Sequence, residues 1–190
     1  RALGALLLGL ALTLPVAAVL SAGIGPLLGV LFDFRAEGIP ILLWTTRAFL
    51  AGLVGHSLLE VAVRSFYARQ DARTPLIASG INMLVFIVLG VLLFRPLGPA
   101  GIALSDALSW TAQATGLLIV LGRRLKKPIR PGGSLARAAL AGVLGGGVTL
   151  AVQAVGAGWG PLVSGVLGLG AGGLAAIPVI WPEIKLLFRL

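Results

Sequence analysis

The chain has 190 residues, of which 58% are hydrophobic and 11% are charged, and its mean hydropathy is +1.05. A soluble domain of this size cannot bury so much apolar surface, so the composition excludes a soluble protein and indicates an integral membrane protein. The formal net charge is +9, but the basic residues fall in short segments between apolar runs. That distribution is typical of membrane topology and argues against nucleic-acid binding.

Several function classes are disfavoured by what the sequence lacks. It has no cysteine, which excludes disulfide frameworks and thiolate metal sites, and it has a single histidine. It also has no P-loop, no nucleophile elbow and no paired carboxylates within one segment. We therefore predict neither an enzyme nor a bound metal or cofactor.

The first apolar segment, residues 2–32, carries no charge. It is much longer than the ~7–15-residue core of a signal peptide, so it is predicted to be a membrane-spanning helix. Pro15 should kink this helix, and a neighbouring helix must then satisfy the carbonyl that loses its hydrogen bond. Because the chain starts at Arg1 rather than Met, we expect it to be part of a longer protein.

Three further spans follow in order. Residues 41–67 form the second, with Trp44 suited to the membrane interface, and residues 76–94 form the third. A Pro/Gly-rich turn at 95–99 leads into the fourth span, residues 100–121.

A short polar segment, residues 64–75, separates the second and third spans. It begins with Arg64 and contains three basic residues and a single acid. This excess of positive charge predicts a cytoplasmic loop. Thr74 is predicted to cap the next helix with its side-chain oxygen, and Pro75 fits the first turn, where a backbone N–H is not needed.

The same segment carries a family resemblance. Residues 66–75 read FYARQDARTP, which resembles the signature loop of the MviN/MurJ family, the lipid II flippases of bacterial cell-wall synthesis. The matching residues are Phe66, Tyr67, Asp71, Arg73, Thr74 and Pro75. Residues 96–105, PLGPAGIALS, resemble a second family segment at a similar spacing. Members of the family have about fourteen membrane helices, and the resemblance implies that this chain corresponds to the last six.

The rest of the chain divides into a basic segment and an uncharged one. Residues 122–137 contain no acid and six basic residues: Arg123, Arg124, Lys126, Lys127, Arg130 and Arg137. Residues 138–182 carry no charge and can hold two spans joined by a turn at 156–161.

The predicted fold is thus an all-α, polytopic membrane helix bundle with six transmembrane helices. Residues 1–121 contain four of them, residues 122–137 form a basic cytoplasmic loop, and residues 138–190 contain two terminal helices and a short tail. Apart from Arg35, Arg47 and Arg95, every basic residue then lies on the cytoplasmic side, together with both chain ends.

Small residues four positions apart predict close helix packing at three places. Such pairs let helix backbones approach where lipid provides no hydrophobic drive for association. They are Ala5/Gly9, Gly142/Gly146 and Gly168/Gly172.

Charged residues inside the spans are the candidate functional residues, because an ionisable group at bilayer depth is costly unless it faces protein or water. His56, Glu60 and Arg64 recur every four residues and so share one helix face. They are candidates for the wall of a substrate pathway at its inner mouth. The alternative is a self-neutralising Glu60–Arg64 pair near the interface.

Asp106 lies inside the fourth span, and Asn82 lies on the preceding antiparallel helix. Together they are ion-coupling candidates that would bind a cation or proton through oxygen atoms, although two groups alone are too few for a hard-ion site. The alternatives are a structural hydrogen bond or pairing of Asp106 with Arg47 or Arg95.

The resemblance also implies a function. Members of the family move a polyprenyl-diphosphate-linked precursor across the bacterial plasma membrane by alternating access, with the tail held by the last two helices. By this resemblance, membrane lipids and the cell-wall synthesis machinery would be the other partners. The family's cavity arginines lie mainly in earlier helices, so no substrate site is carried over. Two alternatives are a drug exporter or polysaccharide transporter of the same superfamily, which the signature loop disfavours, and a non-transporting membrane scaffold.

Overall fold

The computed structural model describes residues 2–32, 38–125 and 132–187. Within these ranges the chain forms six α-helices: α1 (Ala2–Leu31), α2 (Gly38–Tyr67), α3 (Arg73–Leu97), α4 (Pro99–Leu125), α5 (Gly132–Val155) and α6 (Pro161–Leu187). A single 3-10 turn, Gly156–Trp159, joins α5 to α6. Each helix contains a stretch long and apolar enough to cross a bilayer. The prediction of a six-helix membrane bundle is confirmed.

The helices next to the basic segment extend further than predicted. α4 continues to Leu125 and α5 begins at Gly132, so both run into the predicted loop at 122–137. Arg123 and Arg124 lie in the last turn of α4, where positive charge is favoured by the helix dipole. Three of the predicted loop's basic residues lie outside the described residues: Lys126, Lys127 and Arg130.

The bundle consists of two groups of three helices. In the first group α4 packs against both α2 and α3, and in the second α1, α5 and α6 all pack against one another. α1 also packs against α2 and so joins the groups. Phe66, Leu117 and Leu121 are buried in the core of the first group, and Ala176 and Ile180 in that of the second.

Glycine permits the close approach of α2 to α4. A Cβ atom added at Gly52 would lie 3.0 Å from the Cα of Ala107, and one added at Gly55 would lie 3.0 Å from the Cα of Thr111. These backbones therefore meet with no room for a side chain. Gly52 and Gly55 are three residues apart, so they are not among the pairs of small residues at a spacing of four that the sequence predicts.

The predicted small-residue pairs of α5 and α6 are also at helix interfaces. Gly142 and Gly146 face Ala18 of α1, and Gly168 and Gly172 face Thr149 of α5. These two predictions are confirmed. For the third pair, Gly9 faces Ser57 of α2, and the side chain of Ala5 lies outside the described residues.

α1 is continuous although two prolines, Pro15 and Pro26, lie inside it. A proline has no N–H, so Pro26 leaves the carbonyl of Ala22 without its helical donor and disturbs the hydrogen bonds around it. In the hydrocarbon layer such a site needs support from neighbouring helices.

Two side chains from neighbouring helices donate to the carbonyls that flank that of Ala22 in the chain. The Nε of Arg47 in α2 donates to the Ser21 carbonyl at 3.0 Å, and the Nε2 of Gln153 in α5 donates to the Gly23 carbonyl at 3.0 Å. Both of these hydrogen bonds lie close to Pro26, and the kink and support expected at Pro15 stay predictions. Polar side chains from both groups of helices thus hold the middle helix.

The end of α2 follows the Schellman pattern. The Gln70 N–H donates to the Tyr67 carbonyl at 2.9 Å, and the Asp71 N–H donates to the Phe66 carbonyl at 3.1 Å. Gln70 has a φ of 59°, a left-handed conformation usually left to glycine, which costs about 1–2 kcal/mol. This turn brings Asp71 to the start of α3.

Asp71 then organises the whole loop. Its Oδ1 accepts the Thr74 N–H at 3.0 Å, and its Oδ2 accepts the Thr74 hydroxyl at 2.7 Å. The guanidinium of Arg124, from the end of α4, forms an ion pair with Asp71, donates to Thr74 Oγ1 and lies over the Phe66 ring, 5.5 Å from its centroid. We call Phe66, Asp71, Thr74 and Arg124 the loop clamp.

The predicted cap is therefore wrong in one respect. The side chain that accepts a hydrogen bond from the first turn of α3 is Asp71, and Thr74 is the donor. A carboxylate is the better acceptor next to an arginine, and it also suits the positive end of the helix dipole. Pro75 is in the first turn as predicted, and it is buried.

The clamp depends on the charge of Asp71. Hydrogen bonds from the backbone N–H and the hydroxyl of Thr74, and then the contact with Arg124, hold the pKa of Asp71 well below its usual value. A carboxyl group with a lowered pKa stabilises the fold above its unfolded pKa of about 3.9, and the effect is lost as the pH falls toward the folded pKa. The clamp is consequently fully formed at neutral pH.

Close packing of α2 on α4 predicts a position-dependent effect of valine. Gly52→Val should destabilise the bundle by about 1–3 kcal/mol, because the new side chain overlaps Ala107. The matched control is Gly80→Val on α3, where an added Cβ meets nothing within 4 Å. Thermal unfolding in detergent measures both variants, and equal stability losses would contradict the packing described here.

The loop clamp predicts that Asp71 and Arg124 act as a unit. Asp71→Asn and Arg124→Gln should each lower the unfolding temperature, and the double variant should lose much less than the two losses added together. Arg69→Gln is the matched control, since Arg69 is an exposed loop residue with no ion pair in the described part of the chain. Strictly additive losses would show that the clamp does not exist in the folded protein.

Candidate functional site

The three candidate pathway residues of α2 form one exposed stripe. His56, Glu60 and Arg64 are all exposed, and Arg64 Nη2 lies 3.0 Å from Glu60 Oε2. With a rise of 1.5 Å per residue, Glu60 lies about 10 Å along the axis from the loop end of α2. The ion pair predicted from the spacing is therefore present, and it lies on a face that the described helices leave uncovered.

The stripe continues onto α4. The rings of His56 and Trp110 are in contact, with centroids 4.4 Å apart, and Trp110 Nε1 donates to Asp106 Oδ1 at 2.8 Å. We call Arg64, Glu60, His56, Trp110 and Asp106 the polar track. It begins near the loop clamp and runs into the membrane across two helices.

The structure thus brings Asp106 together with His56, Glu60 and Arg64, a grouping that the sequence did not predict. The sequence could not predict the contact between His56 and Trp110. That contact depends on how α2 crosses α4, which the periodicity of either helix does not encode. The hydrogen bond from Trp110 to Asp106 is the structural hydrogen bond given above as an alternative to ion coupling. Within the described residues Asp106 has no hydrogen bond to Asn82 and no ion pair with Arg47 or Arg95.

Asn82 instead lines a groove of about 350 Å³ between α3 and α4, together with Ser109 and Gln113. Gln113 Nε2 donates to Ser79 Oγ at 3.1 Å. The carbonyl oxygens Asn82 Oδ1 and Gln113 Oε1 are buried and have no partner in the described part of the chain. Two unpaired buried acceptors in one groove are costly in a protein interior. They make this α3–α4 groove the place where an additional donor or cation would be most favourable.

No cluster of three or more histidine, cysteine, aspartate or glutamate side chains is present in the ranges that the structure describes. A metal centre built from such ligands alone is therefore absent from those ranges. The oxygen atoms of the α3–α4 groove are the remaining candidates for a cation.

A second groove, of about 230 Å³, lies between α1 and α6. The described residues that line it have only apolar side chains or none, among them Val16, Leu20, Leu169 and Ile177. α6 carries no charge before Pro182. This α1–α6 groove offers an alkyl chain only van der Waals and hydrophobic contact.

Comparison with known proteins gives one consistent result. The family model described as lipid II flippase MurJ matches residues 3–167. The chain is similar to the probable lipid II flippase MurJ of Rhizobium meliloti, with 32% identity over 113 residues, covering 58% of this chain and 21% of the relative. It is also similar to the lipid II flippase MurJ of Burkholderia cenocepacia, with 33% identity over 110 residues, 56% of this chain and 21% of the relative.

The aligned part therefore spans only about a fifth of the length of these curated relatives. Within this chain, however, the family match covers all of α1 to α5 except Ala2, both family-like segments and the start of α6. With the helical membrane bundle and the loop clamp in place, this coverage shows that the chain belongs to the lipid II flippase MurJ family.

Proposed function

We propose that these helices are part of a flippase that moves lipid II, the lipid-linked peptidoglycan precursor, from the inner to the outer leaflet of the bacterial plasma membrane. The observation that carries the proposal is the family match over residues 3–167. The protein is then a transporter rather than an enzyme, and it works by alternating access between two helical lobes. We propose that the signature loop and both ends of the chain are cytoplasmic.

In this proposal the polar track is one wall of the substrate pathway. Its charged end, Glu60 and Arg64, lies close to the loop clamp, and its other end reaches Asp106 inside the membrane. Charged side chains on an uncovered face of a membrane helix are favourable only if water or another polar surface faces them. A hydrated cavity that admits a diphosphate–sugar headgroup from the cytoplasm meets this condition.

The resemblance assigns the polyprenyl tail to the last two helices, α5 and α6, and we propose the α1–α6 groove, which α6 lines together with α1, as its site. A flippase for such a lipid must move its headgroup through a polar route while the tail stays in an apolar one. The groove is lined by apolar residues and lies on the other group of helices from the polar track. The tail and the headgroup would then be handled by separate surfaces of one bundle.

We further propose that Asn82 and Asp106 take part in ion coupling, each through a different surface. The unpaired oxygens of Asn82 and Gln113 favour a cation in the α3–α4 groove. Asp106 is a carboxylate at bilayer depth, where binding of a proton would remove its charge and weaken its bond to Trp110. Either event would couple an ion to the position of α4.

The family match favours this function over a drug exporter or polysaccharide transporter of the same superfamily, and no observation favours a non-transporting scaffold. We also propose contact with the cell-wall synthesis machinery, because that machinery must consume the exported lipid II on the outer side.

Depletion of the full-length protein in its host tests the proposed function. Lipid II should accumulate in the inner leaflet, and the cells should lyse. Normal wall synthesis after depletion, in a host with no second flippase, would contradict the proposal.

The same depleted cells test the polar track. The wild-type gene should restore growth, whereas Glu60→Gln should lower lipid II export severalfold, because it leaves Arg64 unpaired in the pathway wall. Arg69→Gln, outside the track, is the control and should restore export fully. Immunoblots of membrane fractions must show equal amounts of each variant. Full lipid II export by Glu60→Gln would show that the Glu60–Arg64 pair has only a structural role.

A further inference from the structure

A large cavity lies at the end of the bundle opposite the loop clamp. Its volume is about 740 Å³, within the range of small-molecule sites, and it lies between the first turns of α2 and the turn that joins α3 to α4. Its lining residues include Pro40, Trp44, Arg47, Ala48, Pro99 and Leu104. We call it the Arg47 cavity. Neither the polar track nor the α1–α6 groove extends into it.

Arg47 is the charged group of this cavity. It is half-buried, and its Nε donates a hydrogen bond to the Ser21 carbonyl. Its guanidinium lies over the Trp44 ring, 5.6 Å from the centroid. A guanidinium has five N–H donors, so four remain on Nη1 and Nη2. Within the described residues these four have no acceptor and no acid pairs with Arg47. The side chain is thus held in place by one nitrogen, and no described residue occupies its other donors.

Donors of this kind bind an oxyanion, either a carboxylate or a phosphate. The two terminal nitrogens of arginine form paired hydrogen bonds with a phosphate group, and the charge of the phosphate offsets that of the buried cation. The rest of the cavity is apolar, with proline, leucine, isoleucine and alanine side chains around Trp44. The complementary ligand is therefore an amphiphile that joins an anionic phosphate to an alkyl chain.

We propose that the Arg47 cavity binds an anionic glycerophospholipid of the surrounding leaflet, with its phosphate on Arg47 and one acyl chain along the apolar wall. The position at the end of the helices, beside an interfacial tryptophan, is the depth at which a phospholipid phosphate lies. The bound lipid would join α1, α2 and the α3–α4 turn at this end, as the loop clamp joins α2, α3 and α4 at the other.

The residues that line the Arg47 cavity also indicate which lipid fits. Among the described residues around the cavity, Arg47 and Trp44 alone have hydrogen-bonding side chains. Among these described residues, a sugar or peptide headgroup, as in the flippase substrate, would find no further partners, and the ammonium group of a zwitterionic lipid would find no carboxylate. A lipid with a net negative charge and a small headgroup, such as phosphatidylglycerol, matches this lining. The inference does not depend on the proposed flippase function.

Native mass spectrometry of the full chain, released from detergent, tests the inference with phosphatidylglycerol and phosphatidylcholine as probes. The wild type should retain phosphatidylglycerol in preference to phosphatidylcholine. Arg47→Gln should weaken phosphatidylglycerol binding by about tenfold, and Arg47→Lys should fall between the two, because it keeps the charge but loses the paired geometry. Arg95→Gln is the matched control: Arg95 is exposed at the same end and does not line the cavity.

A second variant separates binding from folding, since Arg47 also supports α1. Ala48→Phe fills the cavity and leaves Arg47 unchanged, so it should weaken phosphatidylglycerol binding with normal helicity and a normal elution volume. Three results would overturn the inference: full binding by Arg47→Gln or by Ala48→Phe, an equal loss with Arg95→Gln, or no preference over phosphatidylcholine. Displacement of phosphatidylglycerol by a polyprenyl diphosphate at equal concentration would also overturn it, because the cavity would then belong to the transported lipid.

Discussion

The structure depends on the rule that polar backbone groups within a bilayer must be satisfied by the protein itself. The rule is most demanding in α1, where Pro26 interrupts the helical hydrogen bonds. Arg47 and Gln153 donate to the carbonyls of Ser21 and Gly23, which flank that of Ala22 in the chain. Because Arg47 belongs to the other group of helices, its bond to α1 also joins the two halves of the bundle.

The same rule governs where charge lies. At one end of the bundle, Asp71 and Arg124 pair across the signature loop and fix the ends of α2, α3 and α4 relative to one another. On the face of α2 that the described helices leave uncovered, Glu60 pairs with Arg64, and on α4 Asp106 bonds to Trp110.

The sequence predicts the features that depend on residues close together in the chain and misses those that depend on residues far apart. Apolar run lengths and charge-bearing gaps are local, so they located all six spans and the Glu60–Arg64 pair. The cap of α3 was misassigned because Asp71 and Thr74 are both suitable residues, and the choice between them depends on Arg124, 53 positions away. The contact of His56 with Trp110 and the close approach of Gly52 to Ala107 both depend on the crossing of α2 and α4, which no local pattern encodes. The domain division, the site roles and the orientation remain predictions.

The central claim is that the loop clamp and the charged end of the polar track face the cytoplasm. The chain has no native cysteine, so a single cysteine reports the side of the membrane directly. Arg69→Cys in the signature loop and Arg95→Cys near the α3–α4 turn are matched, exposed positions at opposite ends of α3. In intact cells or spheroplasts, a membrane-impermeant maleimide should label Arg95→Cys at once and Arg69→Cys only after permeabilisation. Labelling of Arg69→Cys in sealed cells, with Arg95→Cys protected, would reverse the topology and contradict the account.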